Sequence, residues 1–204
     1  AGVTTITDGD ELDLGSHRLR FVLTPMVHWP ETMMTYERSS RVLFAGDAFG
    51  SFKALDGGIF DDEIDRSRYD DEILRYFSNI VGKYSPMVQK ALVKLKGTDI
   101  RVVASTHGPV WRTSPEYIIG KYDIWSRYIA ETGAVVAYAS MYGNTLKMAE
   151  AVSRGLSLGG IKEIRMYDVA RTHPSSIIRD AWRYKGIVLG SCTYEMGLFP
   201  AMRN

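Results

Sequence analysis

The C-terminal third of the chain alternates between apolar runs and amphipathic stretches. Residues 134–139 (AVVAYA) are apolar without polar alternation, which is typical of a parallel strand covered on both faces. Beyond a polar loop, apolar residues recur at helical spacing: Met148, Ala149, Val152 and Leu156. Two more predicted strands, 162–167 and 186–190, lie on either side of a predicted helix at 174–184. This β-α-β-α-β order predicts a doubly wound parallel sheet.

The preceding part of the chain has a different order, in which several strands come before the first long helical pattern. The predicted strands lie within 3–26 and at 33–36, 41–45 and 100–104, and the predicted helices lie at 63–84, 86–96 and 116–132. Gly133 follows the last of these helices, so we place the junction between two domains at 131–133. The domains are then 1–132 and 133–204.

The loop at 140–145 is suited to a phosphate group. Backbone N–H groups at a helix N-terminus point outward and carry partial positive charge. Ser140, Asn144 and Thr145 add side-chain donors, and Gly143 lets the backbone approach closely. The loop lacks the Gly-Lys-Ser/Thr ending of a Walker A loop and the three glycines of a dinucleotide fingerprint. A mononucleotide with one phosphate fits better, while an ordinary turn with a helix cap is the alternative.

Three residues with metal-ligating side chains each follow a predicted strand: His28, Asp47 and His107. In an α/β sandwich the loops after such strands can converge, and imidazole and carboxylate groups are common ligands of zinc and iron. Two histidines and one aspartate do not complete such a site. Each residue also has an ordinary explanation as a turn or capping residue, so the spacing alone leaves both interpretations open.

Composition and charge narrow the range of partners and compartments. The chain is 45% hydrophobic and has 25 Lys and Arg against 24 Asp and Glu, without a dense basic run, so nucleic acid is not the expected partner. No apolar run reaches the ~18 residues of a membrane helix, and the N-terminus lacks a secretory pattern. The single cysteine, Cys192, suits a reducing compartment. We therefore expect a cytoplasmic protein.

Five stretches together resemble the flavodiiron proteins, also called A-type flavoproteins, in order and spacing across essentially the whole chain: PMVHWPETMMTY, VLFAGDAFGSF, STHGPVWR, YASMYGNTLKMAEAV and SCTYEMGLFPAM. The resemblance implies an α/β fold class, with the C-terminal part of a metallo-β-lactamase-like αββα sandwich followed by the N-terminal half of a flavodoxin-like doubly wound parallel sheet. It also implies reduction of dioxygen to water or of nitric oxide to nitrous oxide. The electrons are implied to pass through FMN to a non-haem diiron centre.

The resemblance assigns roles to residues of this sequence. It implies that His28 binds one iron, that His107 binds the other, and that Asp47 bridges both. It implies that the loop at 140–145 holds the FMN phosphate and that 191–194 lie along the isoalloxazine ring, through Ser140, Met141, Tyr142, Gly143, Asn144, Thr145, Ser191, Cys192, Thr193 and Tyr194. No catalytic residue separate from the metal ligands is identified. The implied partners are a rubredoxin-like or similar electron donor and a second copy of the chain in a head-to-tail homodimer.

The sequence departs from the family pattern in two respects. The His-x-Glu-x-Asp-His cluster that supplies the remaining iron ligands in the family is absent, and the flavodoxin-like part stops after its third strand. We therefore expect an internal fragment with weak or no activity of its own. Two alternatives stay open at this point: a flavodoxin-like electron carrier, and a zinc-dependent hydrolase of the same sandwich fold.

Overall fold

The computed structural model describes residues 3–203, and their contacts divide the chain into two compact units. The first unit extends to Ile129 and the second begins at Ala130. The expected junction at 131–133 lies within the first strand of the second unit. Within residues 3–203 no helix is long and apolar enough to cross a membrane.

The first unit contains a five-stranded sheet whose strands lie in chain order: β1 (Glu11–Asp13), β2 (Arg18–Leu23), β3 (Met33–Glu37), β4 (Val42–Gly46) and β5 (Val102–Ser105). The pairs from β1 to β4 are antiparallel, whereas β4 and β5 are parallel. Because β3 reverses the direction between β2 and β4, strands β2, β4 and β5 all run the same way. Their carboxyl ends therefore meet at one edge of the sheet.

Three helices accompany this sheet: α1 (Ser67–Tyr76), α2 (Ser85–Leu95) and α3 (Pro115–Ser126). A π-helical turn, Phe77–Val81, and a short 3-10 turn, Gly82–Tyr84, connect α1 to α2. The largest fully buried side chains of the unit include Trp111, Tyr122, Phe49, Phe77, Met34 and Leu43. The core of the first unit is therefore strongly aromatic.

The second unit contains a three-stranded parallel sheet in the order β7-β6-β8. Its elements are β6 (Glu131–Ala139), α4 (Asn144–Leu158), β7 (Ile164–Asp168), α5 (Pro174–Arg183) and β8 (Tyr184–Ser191). The central strand β6 has a strand on each edge and the helices α4 and α5 packed against it, and Val135 and Ala137 pack with Tyr184 in the core. The β-α-β-α-β order predicted from the sequence is confirmed.

The chain continues beyond β8 with a small hairpin. Strands β9 (Thr193–Tyr194) and β10 (Gly197–Leu198) pair antiparallel, and a 3-10 turn, Pro200–Met202, follows. The turn residues Glu195 and Met196 both have positive φ, at 46° and 60°. This combination is the backbone of a type I′ hairpin turn, which favours Asn-Gly.

Three predicted elements differ from those in the structure. The helix predicted over 116–132 ends at Ser126, because Tyr128 adopts a positive φ of 56° and Glu131 already pairs with Tyr184 of β8. The helix predicted over 63–84 is α-helical only from Ser67 to Tyr76. Residues 3–7, at the start of the predicted strand region 3–26, form no strand.

Candidate functional site

The three predicted metal ligands lie together at the edge where β2, β4 and β5 end. The Nε2 atom of His28 is 3.3 Å from Oδ2 of Asp47, and Nε2 of His107 is 3.7 Å from Oδ1 of the same carboxylate. Asp47 therefore presents one oxygen to each imidazole. Two ligand atoms that are each about 2.1 Å from a shared metal lie about 3 Å apart at a right angle. The spacing thus suits one metal position on each side of the carboxylate.

Among residues 3–203, no three His, Cys, Asp or Glu side chains are grouped so that they could hold a metal ion. This absence agrees with the geometry, because each side of Asp47 has only one imidazole and one carboxylate oxygen. Non-haem iron sites commonly use at least three protein ligands for one metal. The described residues therefore do not complete a metal site, and metal binding by His28 and His107 and the bridging role of Asp47 stay predictions.

The backbone of the ligand loops adopts unusual conformations. Met26 has a φ of 65° and Phe49 a φ of 64°, each two residues from a predicted ligand. Residues other than glycine rarely adopt this region, and such strain is concentrated at functional sites. Gly50 is also required for steric reasons, because a Cβ atom there would lie 2.5 Å from Cε1 of His107. The loop after β4 is thus shaped around the imidazole of His107.

Two hydrogen bonds orient the candidate ligands. The hydroxyl of Thr106 donates to Oδ1 of Asp47 at 2.7 Å. Nδ1 of His107 lies 3.2 Å from the carbonyl oxygen of Ser51. Because a carbonyl only accepts, Nδ1 donates to it, and in a neutral imidazole the lone pair then lies on Nε2, the atom that faces Asp47. This is the tautomer that binds a metal through Nε2.

Several residues that shape this site could not be identified from the sequence pattern. Tyr76 meets the ring of His107 edge-on, with ring centroids 4.8 Å apart, and burial and the charge of Asp47 raise the pKa of Tyr76. Tyr76 ends α1 and Tyr122 lies within α3, so both belong to stretches that were predicted as helices without functional residues. Ser51 lies in an irregular loop and acts through its backbone, so no side-chain pattern could have identified it.

The two predicted flavin-binding segments lie at one edge of the second sheet. Because β6 and β8 are parallel neighbours, with Ala139 opposite Ser191, the segments 140–145 and 191–194 leave the sheet side by side. A Cβ atom added at Gly190 would lie 3.4 Å from Cγ2 of Thr145. The structure therefore brings these two groups of predicted residues together, as the carboxyl ends of parallel strands require.

The segment 140–145 has the features of an anion-binding loop. Gly143, with a φ of 83°, is the N-cap residue of α4, and no side chain caps the helix. The hydroxyl of Ser140 is buried and has no hydrogen-bond partner in the described part of the chain. Buried polar groups are nearly always paired, so this hydroxyl is available to donate to a bound group. A phosphate at the free N-terminus of α4 would satisfy it.

The segment 191–194 provides accessible surface beside that loop. The Ser191 hydroxyl donates to the Cys192 carbonyl at 3.0 Å and accepts from the Phe199 N–H at 3.1 Å, so it already has partners. Tyr194 packs edge-on against Phe199 and keeps 38% of its surface exposed. Tyr142, in the neighbouring loop, is 86% exposed. The two tyrosine rings are therefore free to contact a ligand.

Comparison with known proteins assigns a family model to each part of the chain. The model described as ODP family beta lactamase matches residues 2–108, and the flavodoxin model matches residues 136–203. The anaerobic nitric oxide reductase flavorubredoxin of Aeromonas hydrophila is 37% identical over 96% of this chain and 40% of its own length. The chain therefore spans about two fifths of that relative.

Solved structures show the same arrangement of folds. The rubredoxin oxygen:oxidoreductase of Desulfovibrio gigas matches with a TM-score of 0.92 and 25% identity, over 98% of this chain and 50% of its own. The flavodiiron protein of Giardia intestinalis matches with a TM-score of 0.93 and 27% identity, over 98% and 49%. These matches confirm the predicted fold class, a metallo-β-lactamase-like part followed by a flavodoxin-like part. The chain spans about half the length of either structure.

Proposed function

Because the chain belongs to the flavodiiron protein family, we propose that it forms part of an oxidoreductase that reduces nitric oxide to nitrous oxide, dioxygen to water, or both. The observation that carries this proposal is the carboxylate of Asp47, which lies between the imidazoles of His28 and His107. Relatives named for nitric oxide reduction and for rubredoxin:oxygen oxidoreduction support the two substrates.

We assign the first unit to metal binding. His28 and His107 would each bind one iron ion, and Asp47 would bind both. Bound iron supplies redox and Lewis-acid chemistry to a small diatomic substrate. The Ser51 carbonyl favours the tautomer of neutral His107 that has its lone pair on Nε2, and the Thr106 hydroxyl restrains the rotation of the Asp47 carboxylate. Both contacts prepare the ligand atoms before any metal arrives.

We assign the second unit to FMN, which supplies electron storage and transfer when it is bound. The Ser140 hydroxyl and the N–H groups at the start of α4 would bind the phosphate, together with Asn144 and Thr145. Met141 and Tyr142 would lie beside the flavin on one side and the segment 191–194, with Cys192, Thr193 and Tyr194, on the other. The proposal includes a rubredoxin-like or other electron donor, a head-to-tail homodimer or higher oligomer, and a cytoplasmic location.

The proposed activity is tested on the protein purified with its native metal and flavin content. We expect FMN and iron to bind, and we expect the reduced protein to consume nitric oxide or dioxygen in a reaction that an iron chelator abolishes and that is weak or absent in this chain alone. Flavin reduction without consumption of either gas would instead indicate an electron carrier. If the protein instead binds zinc, lacks flavin and hydrolyses a substrate, it is a zinc-dependent hydrolase of the same sandwich fold.

The phosphate site is tested with Ser140→Ala. Loss of a hydrogen bond to a charged group costs about 1.5–3 kcal/mol, so FMN should bind about tenfold or more weakly. Riboflavin has no phosphate, and its affinity should not change. Ser153→Ala is the matched control, because Ser153 lies within α4 and its buried hydroxyl also has no partner among residues 3–203. Equal weakening of FMN and riboflavin would contradict the assignment.

A further inference from the structure

A groove of about 450 Å³ lies between the helices α2 and α3 on the surface of the first unit. Leu92 and Val93 line it from α2, and Ile119 and Gly120 line it from α3. Val93 keeps 70% of its surface exposed, so it forms an apolar projection at the α2 side of the groove. The middle of the groove is therefore an apolar surface that stays open to solvent.

The ends of the groove are polar, and their arrangement follows from the direction of the helices. Gln89, in the first half of α2, donates to the carboxylate of Asp123, in the second half of α3, at 2.9 Å. The two helices are therefore antiparallel. Lys96, just after α2, and Glu116, near the start of α3, line the opposite end of the groove, and both are exposed.

Gly120 leaves a recess in the α3 side of the groove. Glycine is much less favourable than alanine in the interior of a helix, and an added Cβ atom at Gly120 would meet nothing within 4 Å. No residue of its own unit therefore requires this glycine. Counting four residues along each helix from the contact between Gln89 and Asp123 places Val93 opposite Ile119 and Gly120. The groove thus has a projection on one side and a recess directly across from it.

A twofold axis through the middle of the groove would bring these features together. It would place Val93 of one copy over Gly120 of the other, and the reverse contact would form at the same time. It would also place Lys96 of one copy beside Asp123 of the other, because these two residues occupy diagonally opposite corners of the groove. We propose that the groove between α2 and α3 binds the same groove of a second copy of this chain.

The charges of the groove select a second copy as the occupant. A cation at one corner and a carboxylate at the diagonal corner form a pattern that complements itself after a half-turn. Asp123 already accepts from Gln89, but a carboxylate has room for further donors such as Lys96. The other diagonal runs from Glu116 to the corner of Gln89, where Lys90 is exposed on α2. Both diagonals therefore join opposite charges.

This contact is separate from the head-to-tail pairing that the proposed function includes. Thr98 and Ile100 line the groove just before β5 begins, whereas His107 follows the opposite end of that strand. The groove therefore reaches the edge of the sheet that lies away from the candidate metal ligands. Two helices from each copy form a small interface, and small interfaces are usually weak or transient. We therefore expect a dimer that dissociates on dilution.

The contact is tested by sedimentation equilibrium of this chain over a range of concentrations. Val93→Glu should weaken association by about tenfold or more, because a twofold dimer contains the Val93 contact twice. Lys96→Glu should weaken it by about threefold or more, because it replaces two attractive charge pairs with repulsive ones. Lys185→Glu is the matched control, since Lys185 is an exposed lysine of β8 in the second unit. Its association should equal that of the wild type.

A charge exchange tests the predicted register. Lys96→Glu combined with Asp123→Lys restores opposite charges across the axis, so the double variant should associate more tightly than Lys96→Glu alone. A double variant that associates no more tightly would overturn this register, and a wild-type chain that stays monomeric up to about 1 mM would overturn the proposal.

A head-to-tail dimer gives a different result. Its association would survive Val93→Glu and Lys96→Glu unchanged, and that outcome would also overturn the proposed contact. None of these measurements depends on iron, flavin or gas consumption. Failure of the proposed function would therefore leave the result readable.

Discussion

Replacement of Gly50 by alanine tests whether the loop after β4 is shaped around His107. An added Cβ atom would lie 2.5 Å from Cε1 and 2.7 Å from Nδ1 of His107, and 3.1 Å from the carbonyl oxygen of Asp47. Ordinary carbon contacts are about 3.5–4.0 Å, so the imidazole must move by about 1 Å. The hydrogen bond between His107 Nδ1 and the Ser51 carbonyl is then lost or bent.

The expected effect falls mainly on metal binding. Disturbed outer-sphere contacts typically weaken metal affinity by about 10–100-fold, whereas an overpacked site typically costs about 1–3 kcal/mol of folding stability. Because the imidazole of His107 can rotate away from the added methyl group, we expect Gly50→Ala to lose folding stability at the low end of that range. Ferrous iron should therefore bind at least tenfold more weakly, while the metal-free protein unfolds within a few degrees of wild type.

The assay is a metal titration of the metal-free protein, followed by thermal unfolding of the same samples. Gly120→Ala is the matched control, since Gly120 lies in α3 and an added Cβ atom there meets nothing within 4 Å. Alanine in a helix interior is favoured over glycine by about 1 kcal/mol, so the control should be slightly more stable and bind metal normally. Wild-type iron affinity in Gly50→Ala would refute the steric reasoning.

Two further predictions concern the second unit. Asp180 is fully buried and bonded to Arg179 and Tyr167, and although burial opposes it, these partners hold the pKa of Asp180 below its usual value. Asp180→Asn should cost about 3 kcal/mol or more in urea unfolding at pH 7. Because the folded pKa is the lower one, this difference should persist above about pH 4 and disappear as the pH falls through that folded value. Met196→Gly should raise the thermal midpoint by about 2–4 °C, because Met196 is fully exposed and has a φ of 60°, a conformation that favours glycine. The control is Met148→Gly in α4, which should lower the midpoint because glycine destabilises a helix.

The strand-end positions of His28, Asp47 and His107 were visible in the sequence, because apolar runs mark strands and polar residues after them mark the loops. Their convergence follows from strand direction: β2, β4 and β5 run the same way only because β3 lies antiparallel between two of them. The sequence pattern does not reveal that pairing. The convergence therefore needed the structure.

The surroundings of the ligands were not predictable for a different reason. Tyr122 packs from α3 against Phe49, two residues after Asp47, and this contact depends on how a helix packs against a loop. Its apolar neighbours make it indistinguishable from an ordinary core aromatic in the sequence. Ser51 contributes a backbone carbonyl, which every residue has. Contacts of this kind depend on tertiary packing, which local periodicity does not describe.

The placement of one carboxylate between two histidines affects the order in which such a site could bind two metal ions. Both halves of such a site need the same carboxylate held in one rotation, and holding it there costs conformational entropy. The first ion to arrive would fix the rotation of Asp47 and remove that ordering cost for the second. Such a site would therefore tend to hold either no metal ion or two, and protein with a single bound ion would be scarce at equilibrium.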